Sequence, residues 1–418
     1  MSAIAWIDGA LRGARPQAMG ALLRHFRDLD LAEEAFQEAC LRALKSWPKN
    51  GPPRDTVAWL VLVARNAALD GVRRRKREHA LPGEEALSDL SDAEGPLAEQ
   101  LDEAGYRDDL LRLLFMCCHP ELPATQQIAL ALRIVCGLTV PETARAFLVT
   151  DTAMEQRITR AKKLVAAERI PFETPGAPER AERLSAVAAV LYLLFNEGYS
   201  ATGGSAHVRV PLCDEAIRLA RLLLRLFPGE PEMLGLTALM LLQHSRSQAR
   251  LDAQGAIVLL EDQDRSLWDR DRIAEALALL DKALRHASPG PYQVQAAIAA
   301  LHARAPRFAD TDWAEIEQLY AALERLQPSP VVSLNRAVAV AKLRGPSEAL
   351  AMVDALAKEL PGYFYFFGVR GALLLDLDRA DEARQAFDRA LALAKSPAEA
   401  THIRLQIDRL TRKTEAAG

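Results

Sequence analysis

The chain is poor in aromatic residues, which make up 6% of its 418 positions, and runs of β-branched residues are scarce. A sandwich or barrel core is hard to build from such a composition, because strands draw on β-branched and aromatic side chains. No apolar stretch approaches the ~20 uncharged residues needed to span a bilayer. The opening MSAIAWIDGALRGARPQ lacks the charged, apolar and small-residue order of a secretion signal, so no membrane contact and a cytoplasmic location are expected. The five cysteines, Cys40, Cys117, Cys118, Cys136 and Cys213, show neither CxxC spacing nor neighbouring histidine clusters. That pattern excludes the usual thiolate metal sites and points to buried, reduced thiols, with no metal and no cofactor expected.

What is present is Ala, Leu and Arg at helical spacing, in a chain that is 50% hydrophobic. The expected fold class is all-α, at a length that suggests about two to four domains. The net charge of −4 argues against a general nucleic-acid coat, but the local charge is segregated. Arg73, Arg74, Arg75, Lys76 and Arg77 form an unbroken basic run. An acidic stretch follows, from Glu84 and Glu85 to Asp108 and Asp109, with Arg107 as its only base after that run. Such segregation can hold a DNA-binding surface within an acidic protein.

Breakers divide the chain. Residues 1–79 form a first helical block, and 80–107, with Pro82, Gly83, Gly95 and Pro96 among acids, have the composition of a linker. Residues 108–172 form a second block. A cluster from Pro171 to Pro178 leads into a helical remainder over 180–418. Near its end Ala349 and Ala383 stand 34 residues apart, as do Val353 and Phe387. A period of 34 is the tetratricopeptide (TPR) spacing, in which stacked helix pairs bury one another.

In LAEEAFQEACLRALKSW, Leu31, Ala35, Ala39, Ala43 and Trp47 define a buried stripe, and Glu34, Gln37, Glu38, Arg42 and Lys45 lie opposite. The next helix, AWLVLVARNAALDGVRRRKRE, buries Trp59, Leu60, Val63, Ala67 and Val72. It presents Arg65, Asn66, Asp70, Arg73 and Arg74 on a face that grows more basic toward its end. Five bases in a row exceed what a helix dipole needs, since its effect fades within a turn; phosphate contact accounts for them better. Asn66 can both donate to and accept from a base edge. Trp47 and Trp59 fall on apolar stripes and are expected in the core rather than under nucleic-acid bases.

In the second block Gly137 closes one helix, and Thr139 with Glu142 forms a capping box ahead of a short helix over 140–147. Thr150 or Asp151 caps the next. There Met154, Ile158, Ala161 and Val165 face inward, and Thr152, Glu155, Gln156, Thr159, Arg160 and Lys163 face outward, with Arg157 at the boundary. This is a helix-turn-helix with a recognition helix.

Taken in order, these two blocks resemble regions 2 and 4 of extracytoplasmic-function RNA polymerase sigma factors. The resemblance implies that Glu34, Gln37, Glu38 and Arg42 bind the β′ clamp helices of core polymerase. It also implies that the loop Gly51–Thr56, with Arg54 and Asp55, and the helix residues Arg65, Asn66, Asp70, Arg73 and Arg74 read the promoter −10 element. QRITRAKKL is similar to the end of region 4, which binds the −35 element beside the β flap. The implied −35 residues are Thr152, Glu155, Gln156, Arg157, Arg160 and Lys163. Ala153-Met154 stands where the family often has Thr-Val, and Glu155 where a base is frequent, which implies a shifted −35 preference or repulsion of a phosphate. The acidic linker then either mimics RNA in the exit path or serves as a soluble tether.

The remainder is similar to the TPR-like extension of one sub-group of these sigma factors, through AVLYLLFNEGYSAT, PEMLGLTALMLLQHSR, LLEDQDRSLWDRDRIAEAL and GPYQVQAAIAALHA. In that sub-group the extension is thought to stand in for a membrane anti-sigma factor, which implies control of activity by contact with the first two domains or with a partner. EDQDRSLWDRD carries Glu261, Asp262, Asp264, Asp269 and Asp271, but no nucleophile, phosphate loop or metal spacing accompanies them. Salt bridges to Arg265, Arg270 and Arg272 are expected there, and no enzyme activity. The alternative to a sigma factor is a helix-turn-helix and TPR regulator that binds operators without polymerase.

Overall fold

The computed structural model describes residues 3–76, 103–147, 149–167, 177–200, 210–252, 257–394 and 397–417. The protein is all-α: among these residues no strand forms, and β pairing is confined to a single bridge between Leu251 and Ile257. The chain divides into two compact units, Met1–Leu193 and Leu194–Gly418.

The first unit opens with α1 (Ala3–Phe26), α2 (Leu29–Asn50) and α3 (Thr56–Lys76). Asp28 starts α2 by accepting from the Leu31 amide at 3.0 Å, and Gly51, at φ +78°, ends it. Asp55 accepts from the amides of Val57 and Ala58 at the start of α3, so a side chain caps the first turn of each helix. The expected apolar stripe is buried at Ala35, Ala39, Ala43 and Trp47, while Leu31 is half-buried. Trp47 and Trp59 lie in the core in edge contact at 5.2 Å, with Trp6 stacked on Trp47.

Helix α4 (Glu103–Cys117) begins inside the segment whose composition suggests a linker to residue 107. It packs along α1, buries Leu110, Leu113 and Leu114, and comes so close that a Cβ on Gly20 would lie 2.9 Å from the Asp109 backbone. Helix α5 (Ala124–Leu130) continues into a wider π turn, Ala131–Val135, in which the Cys136 amide donates to the Ala131 carbonyl. After Gly137, α6 (Val140–Ala146) and α7 (Asp151–Ala167) form the helix-turn-helix. The Thr139–Glu142 capping box forms in both directions, at 2.7 and 3.3 Å. Thr150 rather than Asp151 caps α7 through the Ala153 amide. Met154, Ile158, Ala161 and Val165 are all buried.

Helix α8 (Ala177–Ser200) crosses from the first unit into the second. There α9 (Val210–Leu226) and α10 (Pro231–His244) lead to α11 (Arg270–Leu284) and α12 (Pro291–Arg304). Helix α10 is buried along nearly its whole length, and its Glu232 accepts from the Tyr292 and Gln293 amides at the start of α12. After α13 (Trp313–Leu326) come α14 (Pro330–Arg344), α15 (Pro346–Ala355), α16 (Phe364–Asp376) and α17 (Ala380–Leu393), packed as consecutive pairs, and then α18 (Pro397–Ala417). Ala349, Val353, Ala383 and Phe387, the positions that carry the 34-residue period, share one core. Gly371 lets α16 approach α17 there, since a Cβ would meet the Phe387 ring at 2.6 Å.

The acidic stretch of the second unit disperses into caps and pairs. Asp264 and Asp269 cap the Ser266 and Arg272 amides, and Glu261 pairs with Lys342 at 2.9 Å. Arg272 pairs with Asp269, as expected, and also with Asp214. Arg265 and Arg270 instead donate to backbone carbonyls, Arg265 to those of His302 and Ala305 and Arg270 to that of Arg265. The stacking of Arg265 over Trp268 holds its guanidinium toward those carbonyls.

Candidate nucleic-acid and protein interface

Helix α2 offers one exposed face. Glu34 and Gln37 are exposed, and Glu38 and Arg42 are half-buried and paired with each other at 3.1 Å. Leu41 and Leu44 lie on the same face, 55% and 45% exposed, Leu41 four residues from Gln37 and three from Glu38. Sequence reasoning passed over these leucines because they fall outside the buried stripe. Bare leucines beside acids are what a protein-docking surface leaves open in the free chain.

The expected −10 residues are divided. Arg54 is exposed, and Arg65 and Asn66 are half-buried on α3. Asp55 already holds two amides as the α3 cap. Burial first, and then the Arg65 charge, lower the pKa of His25. The side chains of Asp70, Arg73 and Arg74 lie outside the described residues.

On α7 the outward residues Thr152, Glu155, Gln156, Thr159, Arg160 and Lys163 are exposed. Arg157 is different: its guanidinium lies over the Phe147 ring at 5.2 Å and ties α7 to the residue after α6.

The charged cluster that sequence reasoning missed lies between these helices. Glu33 of α2 is 5% exposed, and its carboxylate meets Arg133 at 2.6 Å, Lys162 at 2.8 Å and Arg15 at 3.7 Å. Lys162 also donates to Asp30 at 2.6 Å. Arg15 spans the gap between α1 and the π turn, donating to the Ile134 and Arg133 carbonyls, with its guanidinium over the Phe36 ring. The wider π turn leaves these carbonyls open to a side chain. Burial works against the Lys162 charge, yet the hydrogen bonds and charges of Asp30 and Glu33 outweigh it and raise its pKa. A second buried acid, Asp109 of α4, is reached by Arg24 of α1 at 3.4 Å and by Arg112.

Four of the thiols are held in their protonated form by burial. Burial pushes Cys40 up to about 11 and Cys118 and Cys213 up to about 12, and raises Cys117 well above its ordinary value. Among the described residues no group of His, Cys, Asp and Glu is arranged to hold a metal ion. No described helix is long and apolar enough to cross a membrane.

Comparison with known proteins matches these parts to families. Residues 11–78 match Sigma-70 region 2, and residues 112–165 match Sigma-70, region 4. Residues 183–284 match a family of unknown function, DUF6596. Over 126 residues, 29% of this chain and 56% of the other, the chain is 31% identical to the ECF RNA polymerase sigma factor SigD of Mycobacterium tuberculosis (strain ATCC 25618 / H37Rv). The chain thus spans only about half the length of that relative. Region 2 and region 4 in this order, with the similarity to SigD, support a sigma factor of the extracytoplasmic-function type. The chain belongs to one family with the uncharacterized protein R00370 of Rhizobium meliloti (strain 1021), to which it is 69% identical over 410 residues, 98% of this chain and 97% of that protein. The crystal structure of the yeast Tom70 aligns with 96% of this chain and 83% of its own at 12% identity, with a TM-score of 0.39, a likeness too low to carry an argument.

Proposed function

We propose that the chain directs core RNA polymerase, in the cytoplasm, to promoters carrying particular −35 and −10 elements. In this reading the α2 face of Glu34, Gln37, Glu38 and Arg42, extended by Leu41 and Leu44, docks on the β′ clamp helices. The loop with Arg54 and Asp55 and the α3 residues Arg65, Asn66, Asp70, Arg73 and Arg74 engage the −10 element. Helix α7 enters the −35 major groove with Thr152, Glu155, Gln156, Arg157, Arg160 and Lys163, beside the β flap. The second unit regulates initiation by docking on the first two domains or on a partner. The observation that carries the reading is the pairing of a region 2 module and a region 4 module on one chain, the latter with an exposed recognition face. Footprinting on selected promoter DNA with and without core enzyme tests it. Protection that requires core enzyme is expected, and protection by the chain alone would favour an operator-binding regulator.

A further inference from the structure

The second unit holds a group of arginines that its own acids leave unpaired. Two short 3₁₀ turns, Ser247–Ala249 and Arg265–Leu267, pack against each other between α10 and α11. The Asp269 amide donates to the Ser245 carbonyl and the Val258 amide to the Arg250 carbonyl, each at 2.9 Å, which fixes the connection. Around this joint stand Arg246, Arg250 and Arg265, all half-buried. The guanidinium groups of Arg246 and Arg265 lie 5.8 and 4.7 Å from the centre of the Trp268 ring. Arg246 also donates to the Tyr199 hydroxyl at 3.0 Å. Arg250 lies over the Tyr199 ring at 3.6 Å and donates to the Tyr199 carbonyl. Two aromatic side chains thus gather three cations.

Among the described residues no carboxylate lies within ion-pair distance of any of the three. The stretches 201–209 and 253–256, nearest in sequence outside the described residues, contain no Asp or Glu. Other half-buried arginines of the unit differ: Arg336 meets Glu317 and Glu324, and Arg370 meets Asp354, each at 2.7 Å. Burial, and then the charges of Arg246 and Arg270, lower the pKa of Arg265. Burial, opposed by Tyr199 and reinforced by Arg246, lowers that of Arg250. Donors are left over as well. Arg265 Nη2 and Trp268 Nε1 are buried with no acceptor among the described residues, and Trp268 is only 2% exposed. Unpaired charge and unmet donors at such depth are costly unless a counter-ion meets them. The charge sets the class of that ion. A carboxylate offsets one positive charge, whereas a phosphate monoester carries about −1.5 to −2 and three acceptor oxygens, which suit several guanidinium forks at once.

We propose that Arg246, Arg250 and Arg265, held by Tyr199 and Trp268, form a binding site for a phosphate dianion, either free or carried as a monoester on a small molecule. The site lies wholly within the second unit and stands whether or not the chain binds a promoter. Calorimetric titration of the full-length chain with inorganic phosphate, methyl phosphate and acetate tests it. Saturable binding of one phosphate per chain is expected, with acetate weaker by about 10-fold or more. Methyl phosphate binding as tightly as inorganic phosphate assigns the site to a monoester, and inorganic phosphate binding alone assigns it to the free anion. Arg246→Gln should weaken phosphate by about 10-fold or more. Arg221→Gln, at an exposed arginine paired with Glu275, should leave the affinity unchanged. Absence of saturable phosphate binding, acetate as tight as phosphate, or equal phosphate affinity in a folded Arg246→Gln overturns the site. If that variant misfolds, phenylglyoxal labelling of the wild-type chain, read by mass spectrometry, decides. Phosphate should protect Arg246 and not Arg221; Arg246 labelled equally with and without phosphate overturns the proposal.

Discussion

The Lys162 ammonium lies 2.8 Å from the Glu33 carboxylate, bridging 129 positions of sequence between α7 and α2. Because Glu33 is buried, its three cations are structurally required in a way that an exposed pair is not. Glu33→Ala leaves Arg15 and Arg133 partly buried without their acid and should cost on the order of 3–5 kcal/mol. Urea unfolding of the full-length chain, followed by a probe in the first unit, checks this. A loss below about 1 kcal/mol would show that solvent readily replaces the carboxylate.

The α2 face separates binding from stability. Replacing Glu34, Gln37 and Glu38 together should abolish pull-down of core polymerase while changing stability little, since surface changes of this kind are usually worth less than ~0.5 kcal/mol each. Leu41→Asp with Leu44→Asp should act in the same direction. Retained pull-down by the triple variant would remove this face from the interface.

Much of this was legible in sequence, and the reasons are local. The capping box at Thr139 and Glu142, the inward set Met154, Ile158, Ala161 and Val165, and the repeat positions Ala349 and Ala383 each depend on residues within a few turns of one another or on a fixed period. The Glu33 cluster was not legible. A glutamate between Ala32 and Phe36 reads as a solvated residue at the stripe's edge, and only tertiary contact brings Arg15, Arg133 and Lys162 to it. Likewise Arg157 has the spacing of a DNA contact, and its place over Phe147 depends on how the turn packs. The start of α4 at Glu103 was hidden by the acids around it, which favour a helix N-terminus as readily as a linker.

Recognition-helix charges should show in the salt dependence of promoter binding. Arg160→Ala and Lys163→Ala are each expected to weaken binding of the holoenzyme to −35 DNA. Where the lost contact is to phosphate, the logarithmic salt slope should shrink by about 1. Titrations at several salt concentrations measure it, and an unchanged affinity for both variants would place the DNA elsewhere.

The second unit should lose stability in mild acid. Burial, and then the charges of Arg246 and Arg265, lower His302 from 6.5 to about 4, so the folded state binds fewer protons than the unfolded chain. The stabilising contribution of the neutral ring is present above pH ~6.5 and is lost as pH falls toward and through 4, by on the order of 3 kcal/mol. His302→Gln should flatten that part of the pH–stability curve. A curve of unchanged shape would show that another group titrates there.

Transcription in vitro from a random promoter library, with purified core polymerase and the full-length chain, tests the central claim most directly. The account predicts transcripts that require the chain and share a −35 and a −10 sequence upstream of their starts. Loss of that initiation is expected when Glu34, Gln37 and Glu38 are replaced. Transcripts no different from those of core enzyme alone, with DNA protected by the chain in the absence of polymerase, would contradict it.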